Sequence, residues 1–114
     1  MPEWFQYVVF AAVAAFFLWT RFAGKTSSDE AHRLVAEGAR LVDVRSTGEF
    51  ASRHLDGALN IPVDQIDRRA GELGPKEKPV VLYCASGARS ARAASVLKAR
   101  GFTEVYDLGA MGRW

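Results

Sequence analysis

From residue 27 onward, short apolar blocks alternate with stretches of helical character, and this alternation constrains the fold more tightly than anything else in the chain. Leu41 to Val44 reads as a buried strand, Ala58 to Ile61 as a second, Val80 to Tyr83 as a third, and Val105-Tyr106 with its neighbours as a fourth. Helices are expected at about 47–53, 64–72 and 89–100, the last closed by Gly101. Ser27 and Glu30 have the spacing of a capping box that opens an earlier helix, running through about Glu37 and ended by Gly38. Strands separated by helices must be joined by crossovers. The expected fold is therefore α/β, a mostly parallel sheet of four to five short strands flanked by helices. In such sheets ligands gather beyond the carboxyl ends of the strands. Gly71 to Lys78, with its glycines, proline and charges, is a surface loop, and there is no internal repeat.

The start of the chain differs in kind. Trp4 to Thr20 is a run of seventeen residues without charge, between Glu3 and Arg21. As a helix it measures roughly 25 Å, and Phe22, Ala23 and a snorkelling Arg21 supply what is missing from a ~30 Å hydrocarbon core. Trp4, Tyr7 and Trp19 sit where amphipathic rings favour the headgroup boundary. The expected organisation is a transmembrane anchor over 1–23, in which residues 4–22 enter the membrane, a linker over 24–28 and a folded domain over 29–114. A cleaved signal fits less well, because acidic Glu3 precedes the run and Arg21 and Lys25 follow it. A core helix fits less well too, because the run is apolar on every side. The Lys/Arg bias orients a single-pass protein of the inner or cell membrane with its domain in the cytoplasm.

Residues 23–114 carry 14 of the 15 Lys and Arg and 12 of the 13 Asp and Glu, so no concentrated basic face exists for nucleic acid. The one cysteine, Cys84, excludes an intrachain disulfide and suits a reducing compartment. There is no CxxC pair, no Cys/His cluster at metal-ligand spacing and no Walker-type loop, so neither a metal nor a nucleotide is indicated.

Cys84 stands at the carboxyl end of the most apolar strand and is followed by Ala85, Ser86, Gly87, Ala88 and Arg89 before a helix begins. Small residues let the backbone curl so that successive N–H groups converge, and the helix N-terminus adds positive potential at the same point. A thiolate is stabilised there, which makes Cys84 nucleophilic near neutral pH, with Arg89 and Arg92 reinforcing the field. Asp43 and Arg45 close the first strand as supporting candidates, and an Arg45 to Glu49 ion pair is expected to fix their loop. His54 reads as a structural histidine, and Met111 and Trp114 as apolar cover for the sheet edge.

These residues resemble the rhodanese family of sulfurtransferases over nearly all of 27–114. The loop Cys84-Ala85-Ser86-Gly87-Ala88-Arg89-Ser90 matches the family's C-x-x-G-x-R-S. Asp43-Val44-Arg45, Glu49-Phe50, the run from His54 to Pro62, and Gly101-Phe102 through Leu108-Gly109 to Trp114 accompany it in order. Gly109-Ala110 stands where two glycines are common, and Asp56 is an unusual choice before Gly57. The resemblance implies transfer of sulfane sulfur from thiosulfate or a persulfide to a thiophilic acceptor through a Cys84 persulfide. The loop amides from Ala85 to Arg89 would cradle the outer sulfur, and no cofactor is needed. Because Arg89 is the loop's only charge, a persulfide donor is favoured over dianionic thiosulfate. The anchor points to delivery near a membrane protein partner. Two other readings are a tethered binding module without turnover and a cysteine phosphatase or arsenate reductase. The last places five residues between Cys and Arg, whereas this chain has four.

Overall fold

The computed structural model describes the backbone of residues 2–22 and 24–114, with side chains described at 2–16 and from 24 onward. Four strands, β1 (Arg40–Asp43), β2 (Leu59–Asn60), β3 (Val80–Cys84) and β4 (Val105–Ala110), form one sheet in the order β2-β1-β3-β4. Every neighbouring pair is parallel, as crossover connections require. β3 is therefore an inner strand buried along its whole length, and its side chains alternate between two cores. Val80, Leu82 and Cys84 face one core with Ile66, Leu73, Ala93 and Leu97, while Val81 and Tyr83 face the other with Ala31, Leu34 and Leu108. Helices on both faces complete three layers.

Helix α2 (Ser28–Ala36) starts at the expected cap, where the Ser27 side chain accepts from the Glu30 amide. Helix α3 (Thr47–Ser52) opens with a reciprocal capping box between Ser46 and Glu49. Helix α5 (Ala88–Ala99) packs Ala93 and Leu97 under the sheet. The helix expected at 64–72 is instead a chain of short pieces. Tight turns at Val63–Gln65 and Ala70–Leu73 flank a single α turn, α4 (Ile66–Arg69), and none of the three has a side-chain cap. The Val63 amide donates to the Val44 carbonyl at 3.0 Å and the Gln65 amide to the Pro62 carbonyl at 2.8 Å, so the segment opens as a tight turn, and with Gly71 within it no single regular helix propagates.

Residues 25–26 of the expected linker are held in place. Lys25 bridges in parallel to Asp107 of β4, and the Thr26 amide donates to the Asp107 carbonyl at 2.7 Å. β4 also carries a bulge: Leu82 pairs with Asp107 and Tyr83 with Gly109, so Leu108 has no opposite number. Helix α1 (Trp4–Phe22) covers the expected anchor, and every residue of it from Trp4 to Phe16 is exposed, which excludes the core-helix reading for that part. Among the described residues no helix is long and apolar enough to cross a membrane. The side chains of 17–23, including Trp19 and Arg21 of the expected anchor, lie outside the described residues.

Candidate active site

Cys84 ends β3 with its side chain on the α5 face, wholly out of solvent contact. The chain then bends through Ala85, Ser86 and Gly87 and enters α5 at Ala88. The reversal depends on Gly87, whose φ of 103° a side chain would strain. It aims the Gly87 N–H at Cys84 Sγ, 2.9 Å away. Ser90, one turn into α5 and also buried, brings its Oγ to 3.5 Å from Sγ and donates to the Gly87 carbonyl at 3.1 Å. Burial pushes the Cys84 thiol up, but the Ser90 hydroxyl and the amides of Ser90, Gly87 and Ser86 together outweigh it and hold the thiol below its ordinary value. The groups that favour the anion are hydrogen-bond donors of the bend, and Arg89 lies close enough to interact with Cys84 charge to charge.

Arg89 is half-buried and bound by two bonds to Glu49, at 2.7 and 3.0 Å. The same bonds, with the Ser46 amide and hydroxyl, hold the Glu49 carboxyl down to about 2. The expected Arg45 to Glu49 pair is not formed. Arg45 reaches back to Asp43 instead, with Nη2 to Oδ2 at 2.8 Å, while its Nη2 also meets the Arg53 carbonyl. The nearer carboxylate wins because Asp43 is fully buried and needs a cation, whereas Glu49 projects from α3 toward the Cys84 loop, where Arg89 claims it. Arg89 thus has its charge largely balanced, and Arg92 is exposed on α5. Above β1 and β2 lies an open depression of about 250 Å³, walled by Val44, Ser46, Pro62, Val63, Gln65 and Arg89. It adjoins the Cys84 loop through Arg89, at the carboxyl ends of the strands.

A family model described as the Rhodanese-like domain matches residues 27–114. The chain belongs to that family. It is 38% identical over 112 residues to an uncharacterized protein of Bacillus subtilis, YqhL, covering 94% of this chain and 88% of that one. It is 32% identical to the thiosulfate sulfurtransferase GlpE of Shewanella oneidensis, covering 69% of this chain and 78% of that one. The structure of the human single-domain sulfurtransferase TSTD1 superimposes with a TM-score of 0.68 at 30% identity, over 81% of this chain and 92% of that one.

Within this rhodanese-like frame the remaining sequence candidates fall in three groups. Cys84 and the amides of Ser86 and Gly87 converge, while Ala85 and Ala88 are exposed parts of the bend. Asp43 and Arg45 brace the neighbouring loop: the Arg45 guanidinium lies 5.8 Å from the centroid of the Tyr83 ring. His54 stacks on Phe50 at 3.8 Å and bonds its carbonyl, and Trp114 stacks on His32 at 3.7 Å, so both act in packing. Ala110, which replaces a common glycine, takes an ordinary extended conformation beside Cys84 and costs nothing there. Two contributors escaped the sequence reading. Ser90 was visible as the last residue of the C-x-x-G-x-R-S motif, one turn past the bend, and Lys25 carried no local signal.

Proposed function

We propose that this chain is a sulfurtransferase whose carrier is a Cys84 persulfide. The observation that carries the reading is the Gly87 N–H donating to Sγ at 2.9 Å inside a bend that favours the thiolate over the thiol. The thiolate attacks the outer sulfur of thiosulfate; a new S–S bond forms, the bond to the sulfite group breaks, and sulfite leaves with that electron pair. With a persulfide donor the leaving group is the donor's thiolate. An acceptor thiolate then attacks the terminal sulfur and departs as a persulfide, restoring the Cys84 thiolate. The Ser86, Gly87 and Ser90 donors stabilise negative sulfur before and after each step. Because Glu49 already balances Arg89, persulfide donors are favoured over dianionic thiosulfate.

Incubation with thiosulfate or glutathione persulfide, followed by intact mass spectrometry, should show one added sulfur that cyanide removes and that Cys84→Ser never acquires. No adduct with either donor, or the same adduct in Cys84→Ser, sinks the reading.

The membrane attachment belongs to the same proposal. What supports it is a continuous helix bearing exposed Trp4, Tyr7, Phe10, Val13 and Phe16, apolar surface that water disfavours. The cytoplasmic orientation rests on the Lys/Arg bias alone, and a recipient close to the membrane would follow from both.

A further inference from the structure

The geometry points to Lys25 as a positioning residue for the Cys84 loop, acting through the Gly87 carbonyl. Lys25 lies three residues beyond α1, far from the loop in sequence, yet its Nζ donates to the Gly87 carbonyl at 3.3 Å and to Asp107 Oδ2 at 2.6 Å. Asp107 is buried on β4, and its other oxygen, Oδ1, is buried with no partner among the described residues. An unpaired carboxylate there is costly, so Asp107 holds the ammonium in place. The packing around this contact is close. A Cβ on Gly87 would meet Nζ at 3.6 Å, and one on Gly109, beside the β4 bulge, would meet Lys25 Cδ at 3.5 Å.

The role follows from counting protons. Ser90 has one hydroxyl proton and two acceptors in reach, the Gly87 carbonyl at 3.1 Å and Sγ at 3.5 Å. While Cys84 is a thiol, its own proton can go to Ser90 Oγ and the hydroxyl can serve Gly87. Once Cys84 is a thiolate, the hydroxyl must turn to sulfur, and the buried Gly87 carbonyl loses that donor. It then keeps the Ala91 amide, at 3.2 Å, and Lys25. Lys25 thus stabilises the carbonyl in the state that has to react, and it fixes the residue whose own N–H points at Sγ. The other charged groups near the loop are Arg89, paired with Glu49, Arg45, paired with Asp43, Arg113, whose Nη2 donates to the Thr26 carbonyl at 3.3 Å, and exposed Arg92 on α5. This inference refines the proposed thiolate chemistry and rests on that reading.

The test measures the rate of Cys84 alkylation by iodoacetamide against pH, in the full chain, for wild type, Lys25→Met, Lys25→Arg and the charge-neutral double variant Lys25→Met/Asp107→Asn. Alkylation needs no sulfur donor, so its outcome is separate from the persulfide assay. Both variants lacking the ammonium should react about threefold to tenfold more slowly near neutral pH and converge on the wild-type rate at high pH, where every form is thiolate. Lys25→Arg should recover most of the loss. If Lys25→Met fails to fold, the double variant, which leaves no lone buried charge, decides. Wild-type profiles in the ammonium-free variants that fold, or a loss that persists unchanged at high pH, overturn the assignment.

Discussion

At Cys84 two effects oppose each other, and the sign of their sum fixes the pH dependence of the chemistry. Burial disfavours the anion; four donors from Ser86, Gly87 and Ser90 favour it, and the donors prevail. Since the folded thiol titrates below its unfolded value of about 8.5, reactivity switches on below that pH and is lost as pH falls through the folded value. The linked stability runs the same way: fully present above about 8.5 and lost on acidification through the folded pKa. Ser90→Ala deletes the only side-chain donor of the set. Its alkylation at neutral pH is expected to slow by about threefold to tenfold while the high-pH plateau stays put, and iodoacetamide rates across the pH range check this. A cavity alone would depress the plateau as well. Ser90 and Gly87 act on Cys84 through what they donate.

At the scale of elements, the site rests on strand ends and helix starts. Ser46 opens α3 with a box in which its hydroxyl accepts from the Glu49 amide at 3.2 Å and the Glu49 carboxylate accepts from the Ser46 amide at 3.1 Å. That carboxylate also binds Arg89, so the cap of one helix aims the cation at the start of another. Ser46→Ala should cost about 1 kcal/mol in urea unfolding, with an unchanged dependence on denaturant concentration. Sequence periodicity located β1 and β3 to within one residue, because unbroken apolar runs such as Val80-Val81-Leu82-Tyr83 have few other uses. It misjudged the segment after Pro62, where Val63, Ile66, Ala70 and Leu73 keep a helical rhythm while the backbone breaks into turns. Rhythm reports which side faces the core, not which carbonyl each amide chooses. The Cys84 loop was legible because its small residues and glycine are contiguous. The partners of Arg45 and Arg89 were not, since they depend on how α3 lies against the sheet. Lys25 was the least legible of all: its two acceptors belong to segments that only the folded sheet brings beside it.

For the whole molecule, the apolar leader and the folded domain make different demands. No described residue of α1 up to Phe16 is buried, so this part adds nothing to the described core. Deleting residues 2–16 should shift the domain's unfolding free energy by less than about 0.5 kcal/mol, measured in urea. On the membrane proposal, the same deletion moves the protein from the membrane pellet to the supernatant on fractionation, and a full-length chain that stays in the supernatant removes that proposal. The fold also leaves its single thiol without a companion. A second cysteine near Cys84 could expel a loaded sulfur by closing a disulfide, but residues 1–114 hold none. On the proposed chemistry, a sulfur-loaded molecule of this chain has no second thiol of its own to take the sulfur. It has to wait for a visitor, so the fraction found loaded would record how far supply of reactive sulfur has run ahead of demand.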